Sequence, residues 1–129
     1  MRILIVDDEA IIRELMLQII DEIENLDIET LEAADGLEGL ELIKKEKPDI
    51  VFLDIMMPKL NGFEICRILQ NEPPSWNMKV VILTAKGQEI DKQTARELGV
   101  KWYITKPFKI DDIIKLLREL AEEETNVCR

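Results

Sequence analysis

A chain of 129 residues, 47% apolar and 34% charged, is long enough for one buried core and too apolar to stay disordered. Its formal charge of −10 repels nucleic-acid phosphates, so no direct nucleic-acid contact is expected of it. With no histidine, it has no zinc–histidine site, no Ser-His triad and no phosphohistidine of its own.

No apolar stretch approaches the length of a membrane span, and Met1-Arg2 leads into strand-like sequence without a signal peptide. The expectation is no membrane contact and a cytoplasmic location. Cys66 and Cys128 match no zinc spacing and are expected as free thiols.

Strand-like and helix-like patterns alternate five times, the mark of a parallel sheet with crossover helices. Ile3 to Val6 forms the first apolar run. A helix follows, with Ile12, Met16, Ile19 and Ile23 on one face and Leu15 and Ile20 beside it. Ile28 to Ala33 reads as a second strand. Asp35-Gly36 turns into a helix carrying Leu37, Leu40, Leu42 and Ile43, which Lys47-Pro48-Asp49 ends.

The third run, Ile50 to Leu53, is apolar throughout, as burial on both faces requires. After a loop to Asn61, a helix is expected from Gly62 to about Gln70. Asn71 to Met78 is irregular, and Val80 to Leu83 is the fourth strand. The fourth helix is expected over about 90–98, ended by Gly99. Trp102 to Thr105 is the fifth strand, and the last helix starts near Ile110 with Ile113, Ile114, Leu117 and Leu120 inward. One domain over 1–124 and a short polar tail over 125–129 follow from this reading.

Four of the strand-like runs stop on residues with phosphoryl-transfer chemistry: Asp7-Asp8, Asp54, Thr84 and Lys106. Ligands of open parallel sheets lie at the carboxyl ends of the strands, where strand order reverses. The order 2-1-3-4-5, with helices on both faces, makes the first and third strands neighbours and brings the three carboxylates together. Crowded carboxylates raise one another's pKa unless a cation joins them. An all-oxygen donor set suits Mg²⁺, with Mn²⁺ as a substitute. One carboxylate then becomes a nucleophile toward phosphorus, with Lys106 to neutralise charge and Thr84 to donate a hydroxyl. An Asp between strand and helix is as often a helix cap as a ligand. Capping explains one Asp per site, but not Asp7-Asp8-Glu9 in succession with Thr84 and Lys106 on further strand ends.

These stretches resemble the receiver domain of two-component response regulators across essentially the whole chain. The carriers are Ile3-Leu4-Ile5-Val6-Asp7-Asp8-Glu9, Asp54-Ile55-Met56-Met57-Pro58-Lys59-Leu60-Asn61-Gly62, Val81-Ile82-Leu83-Thr84-Ala85 and Tyr103-Ile104-Thr105-Lys106-Pro107-Phe108. The resemblance implies a flavodoxin-like fold and Asp54 as phosphoacceptor from the His of a sensor kinase or phosphotransfer protein. It also implies Mg²⁺ on Asp8, on Asp7 through water, and on Asp54 and the Met56 carbonyl. Thr84 and Tyr103 become the switch pair, Lys106 the phosphate-binding lysine, and Lys106-Pro107 a cis bond. Met56 and Lys86 are the positions that set the lifetime of the acyl phosphate, and here they imply slow hydrolysis.

The broad apolar arc of the first helix, around Ile12 and Leu15, is the expected kinase-docking surface. The fourth helix, fifth strand and fifth helix form the expected output face, for a downstream protein or a homodimer. Lys92 and Arg96 lie one turn apart on the fourth helix, and the fifth offers Asp111, Asp112, Glu119 and Glu122, opposite charges that suit pairing across a symmetric dimer. Such a chain is a phosphorylation switch rather than an enzyme. The alternatives are an Asp-nucleophile phosphohydrolase, which usually carries a second acid where Met56 stands, and a degenerate receiver acting as a scaffold. A flavin mononucleotide module needs a Ser/Thr/Gly-rich loop in place of Asp7-Asp8-Glu9.

Overall fold

Hydrophobic periodicity and observed elements coincide along the chain. The computed structural model describes residues 1–85 and 89–127, and the side chains of 1–84 and 93–122. The expectations placed on Lys86, on Cys128 and on the Lys92 side chain lie outside the described residues.

The elements run β1 (Arg2–Val6), α1 (Ala10–Asp21), β2 (Glu29–Ala33), α2 (Gly36–Glu46), β3 (Ile50–Asp54), α3 (Gly62–Asn71), β4 (Lys79–Ala85), α4 (Glu89–Glu97), β5 (Trp102–Lys106) and α5 (Ile110–Val127). The five strands form one parallel sheet in the order β2-β1-β3-β4-β5. The order predicted from sequence is thus the observed one.

Alternation along each strand feeds two cores. Ile3, Ile5, Phe52, Val81 and Leu83 face α1 and α5, where Met16, Ile19, Ile113 and Leu117 cover them. Leu4, Val6, Leu53 and Ile82 face the other way, against Ile43 of α2, Ile65 of α3 and Ala95 of α4. β3 is buried at every position, which explains its unbroken apolar run. Each fully buried Ile or Leu contributes roughly 1.5–3 kcal/mol relative to an exposed one.

The turns are equally legible. Asp35 caps α2 by accepting a hydrogen bond from the Glu38 N–H at 2.9 Å. Asn61 and Glu64 form a reciprocal capping box at the start of α3. Gly99, at φ +83°, follows α4, and the Val100 N–H returns to the Ala95 carbonyl. Lys47, at φ +49°, ends α2 ahead of Pro48. Lys106-Pro107 is cis, as the resemblance implied.

Two details differ from expectation. Ile23 lies beyond the end of α1 but remains buried against the α1–α5 core. α5 continues to Val127, so residues 125–127, expected in a polar tail, are its last turn.

Two glycines seat the loop that follows β3. A Cβ on Gly36 would overlap the Leu60 carbonyl, and one on Gly62 would come within 2.6 Å of the Asp54 carbonyl oxygen. Both obstacles are backbone, which cannot rotate aside. Gly62→Ala is expected to lower the unfolding free energy by about 1–3 kcal/mol, the usual cost of overpacking. A urea melt with an unshifted midpoint would contradict this.

Candidate functional site

The register of the central strands sets the geometry. Val6 pairs with Leu53, so Asp7 and Asp54, the next residue on each strand, stand level at the carboxyl edge. Asp7, Asp8 and Asp54 each offer an oxygen within 4.8 Å of the others. Asp7 is fully buried and Asp54 is 5% exposed, while Asp8 faces solvent.

None of the three caps a helix. The N-cap of α1 is Glu9, which makes no side-chain cap bond. Asp7 instead accepts the Glu9 N–H on Oδ1 at 2.9 Å. Asp54 accepts the Met56 N–H on Oδ1 at 3.2 Å, which folds the start of the β3–α3 loop over the carboxylate. The capping explanation therefore fails for both buried carboxylates.

Lys106, at the end of β5, reaches across to them. Its Nζ donates to Asp7 Oδ2 at 2.7 Å and lies 3.5 Å from Asp54 Oδ2 and 3.7 Å from Glu9 Oε1. Burial opposes the charge on Lys106, but the Asp7 hydrogen bond and the Asp54, Asp7 and Glu9 charges outweigh it, so its pKa is held above the ordinary lysine value. Thr84, at the end of β4, is 1% exposed, and its Oγ1 has no hydrogen-bond partner.

Tyr103 is half-buried against the core on the α2–α3–α4 side. Ile82 pairs with Tyr103 in register. Thr84, two residues on, therefore shares that face with Tyr103. Trp102 packs on the opposite face. Met56 is 69% exposed, and its backbone follows directly on the carboxylates.

The structure adds one residue that motif reading passed over. Arg13 donates from Nη1 to the Asp7 carbonyl at 2.6 Å and from Nε to Glu32 Oε1 at 3.1 Å. It ties the first turn of α1 to both β1 and β2. A mostly buried arginine one turn into an amphipathic helix was the available signal, but its partner is a backbone oxygen that no side-chain pattern encodes.

The donors fit a hard divalent cation. Among the described residues three carboxylates face one ammonium, the ligand atoms are all oxygen, and Asp8 leaves one side open to solvent. Among the described residues this is the group suited to hold a metal ion.

The family model for the response regulator receiver domain matches residues 3–118. Over 98% of its length the chain is 36% identical to the DNA-binding dual master transcriptional regulator RpaA of Synechocystis, of which it covers 51%. It is 40% identical over 107 residues to the alkaline phosphatase synthesis transcriptional regulatory protein PhoP of Bacillus subtilis, covering 83% of this chain and 42% of that one. The chain thus spans about half the length of the curated relatives it matches. The solved receiver domain of AraT from Geobacillus stearothermophilus superposes with a TM-score of 0.84 at 28% identity, over 99% of this chain and 98% of that one.

The electrostatics of Asp54 carry a pH dependence. Burial, and next the Asp7 charge, push its carboxyl up to about 6, against the pull of Lys106 and the Met56 N–H. A raised carboxyl pKa means that the folded chain holds this proton more tightly than the unfolded chain. The stabilisation is complete below the ordinary value of 3.8 and is lost as pH rises through about 6. In a chelating buffer at pH 7, Asp54→Asn should therefore melt above the native protein, with the gap closing toward pH 4. Thermal melts in which the native protein is the more stable at pH 7 would refute the charge conflict.

Proposed function

Because the chain belongs to the response regulator receiver family, we propose that Asp54 is the phosphoryl acceptor of this two-component signalling switch. The observation that carries this reading is the meeting of three carboxylates with the Lys106 ammonium at one sheet edge. An Asp54 carboxylate oxygen attacks the phosphorus of a phosphohistidine on the donor protein. The nitrogen–phosphorus bond breaks, its electron pair stays with the imidazole, and an acyl phosphate forms on Asp54.

Asp7, Asp8, Asp54 and the Met56 carbonyl would hold Mg²⁺, with Mn²⁺ a substitute. The ion supplies neutralisation of the carboxylates and of the phosphoryl oxygens. Lys106 contributes a fixed positive charge beside the same oxygens. Thr84 turns its partnerless hydroxyl to a phosphoryl oxygen, and Tyr103 on the same face follows it. The change is read on the surface of α4, β5 and α5, where Arg96, Asp111, Asp112, Glu119 and Glu122 are exposed.

The donor docks on α1. Ile11 is 78% and Leu15 39% exposed, whereas Ile12 packs partly against the core and contributes less than its sequence position implied. DNA contact of the kind named for RpaA is assigned to a partner or output segment, since this chain carries a charge of −10. The exposed thioether of Met56 has no hydrogen bond with which to orient a water, so the acyl phosphate hydrolyses slowly and the chain acts as a switch.

Incubation with acetyl phosphate and Mg²⁺ should add one phosphoryl group, read by intact mass, and Asp54→Asn should abolish it. Labelling that survives Asp54→Asn, or that proceeds equally in chelator, would overturn the assignment. In a chase without donor, Met56→Asn should shorten the lifetime of the label several-fold. Leu15→Gln is expected to slow transfer from a cognate kinase at least tenfold while leaving acetyl phosphate labelling intact. Equal slowing with both donors would place Leu15 in the fold instead of the docking surface.

A further inference from the structure

Arg13 grips the backbone between two carboxylates of the site. The carbonyl it reaches, 2.6 Å from Nη1, belongs to the peptide that joins Asp7 to Asp8. Asp7 is fixed by other means as well. It is fully buried, its N–H bonds the Ala33 carbonyl at 3.2 Å, and its Oδ1 accepts the Glu9 N–H at 2.9 Å. Asp8 is exposed, so the backbone before it, rather than packing, directs its carboxylate.

The guanidinium is itself braced. Its Nε donates to Glu32 Oε1 at 3.1 Å, and the Arg13 side chain is only 16% exposed. β2 thus supports this peptide from two sides, through the Ala33 carbonyl and through Glu32 acting on Arg13. Among the described residues, Arg13 forms no ion pair with Asp7, Asp8 or Asp54. Its charge would in any case oppose a cation held beside it.

On the reading that Asp7 and Asp8 hold a divalent cation, we propose that Arg13, braced by Glu32, is a positioning residue for that cation. It fixes the Asp7–Asp8 peptide so that the exposed Asp8 carboxylate stays beside Asp7 and Asp54. Groups that orient ligands from behind typically change metal affinity by about 10–100-fold. Charge and position predict opposite signs here. Neutralising Arg13 strengthens cation binding if its charge dominates and weakens it if its grip on the peptide dominates.

Mn²⁺ binding to the full chain, read from the electron paramagnetic resonance signal of the free ion well below each variant's melting temperature, separates these cases. Arg13→Met should bind Mn²⁺ roughly tenfold or more weakly than the native chain. Glu32→Ala should weaken binding in the native background and have no further effect in Arg13→Met, as a brace acting through Arg13 requires. Arg2→Met is the control: it removes the same charge and a similar tie, from Nη1 to the Glu46 carbonyl at 2.8 Å, at the opposite end of β1. It should leave Mn²⁺ affinity unchanged. Unchanged or tighter binding by Arg13→Met, or an equal loss in Arg2→Met, would overturn the positioning role alone. A Glu32→Ala effect that persists undiminished in Arg13→Met would do the same, since it would then act as a distant charge. Failure of the native chain to bind Mn²⁺ would instead overturn the ligand assignment, and this role with it.

Discussion

The structure turns on a conflict of buried charge. Asp7 and Asp54 end neighbouring parallel strands and are both nearly inaccessible, with Asp8 beside them and, among the described residues, one ammonium to answer three carboxylates. Burial amplifies the repulsion because the dielectric around the pair is low. Lys106 is drawn tightest to Asp7, at 2.7 Å against 3.5 Å for Asp54. Burial, and next the Asp7 charge, push the Asp54 carboxyl up to about 6 against the pull of Lys106. The same imbalance suits the three carboxylates to a divalent cation.

The surrounding elements keep the carboxylates from relaxing apart. On one side, Arg13 clamps the Asp7 carbonyl to α1 and, through Glu32, to β2. On the other, Gly62 lies close enough to the Asp54 carbonyl that no side chain fits between them. The Gly62 N–H also bonds the Ile55 carbonyl, so the β3–α3 loop closes directly on the end of β3. Below them both, fully buried strand residues fix the register that sets the two carboxylates level. Position is enforced by backbone contacts and core packing, and charge is left unresolved.

That division explains what could be read from the sequence. Two-sided burial of β3 and the helix stops at Lys47 and Gly99 follow from periodicity and punctuation, which are local. The strand order that brings Asp7, Asp8, Asp54 and Lys106 to one edge is instead a property of the whole fold. Arg13 escaped because its role is defined by a backbone oxygen. Lys79 escaped because a lysine at a strand start reads as a surface charge, and only the tertiary packing buries it. The extension of α5 past residue 124 escaped for another reason: Glu122 to Asn126 is polar throughout, so no apolar periodicity marks it as helix.

The size of the proposed switch can be bounded from Thr84. A buried hydroxyl with no partner costs about 1–3 kcal/mol, and the Thr84 Oγ1 carries that cost in the unphosphorylated chain. A phosphoryl oxygen within reach would remove it, and each 1.4 kcal/mol is roughly a tenfold change in an equilibrium. Phosphorylation would thus bias the Thr84–Tyr103 face by about one to two powers of ten through this contact alone. A bias of that size shifts the population of the output surface without locking it. Such a partial shift suits a receiver whose readout depends on how strongly a partner prefers one state of α4, β5 and α5.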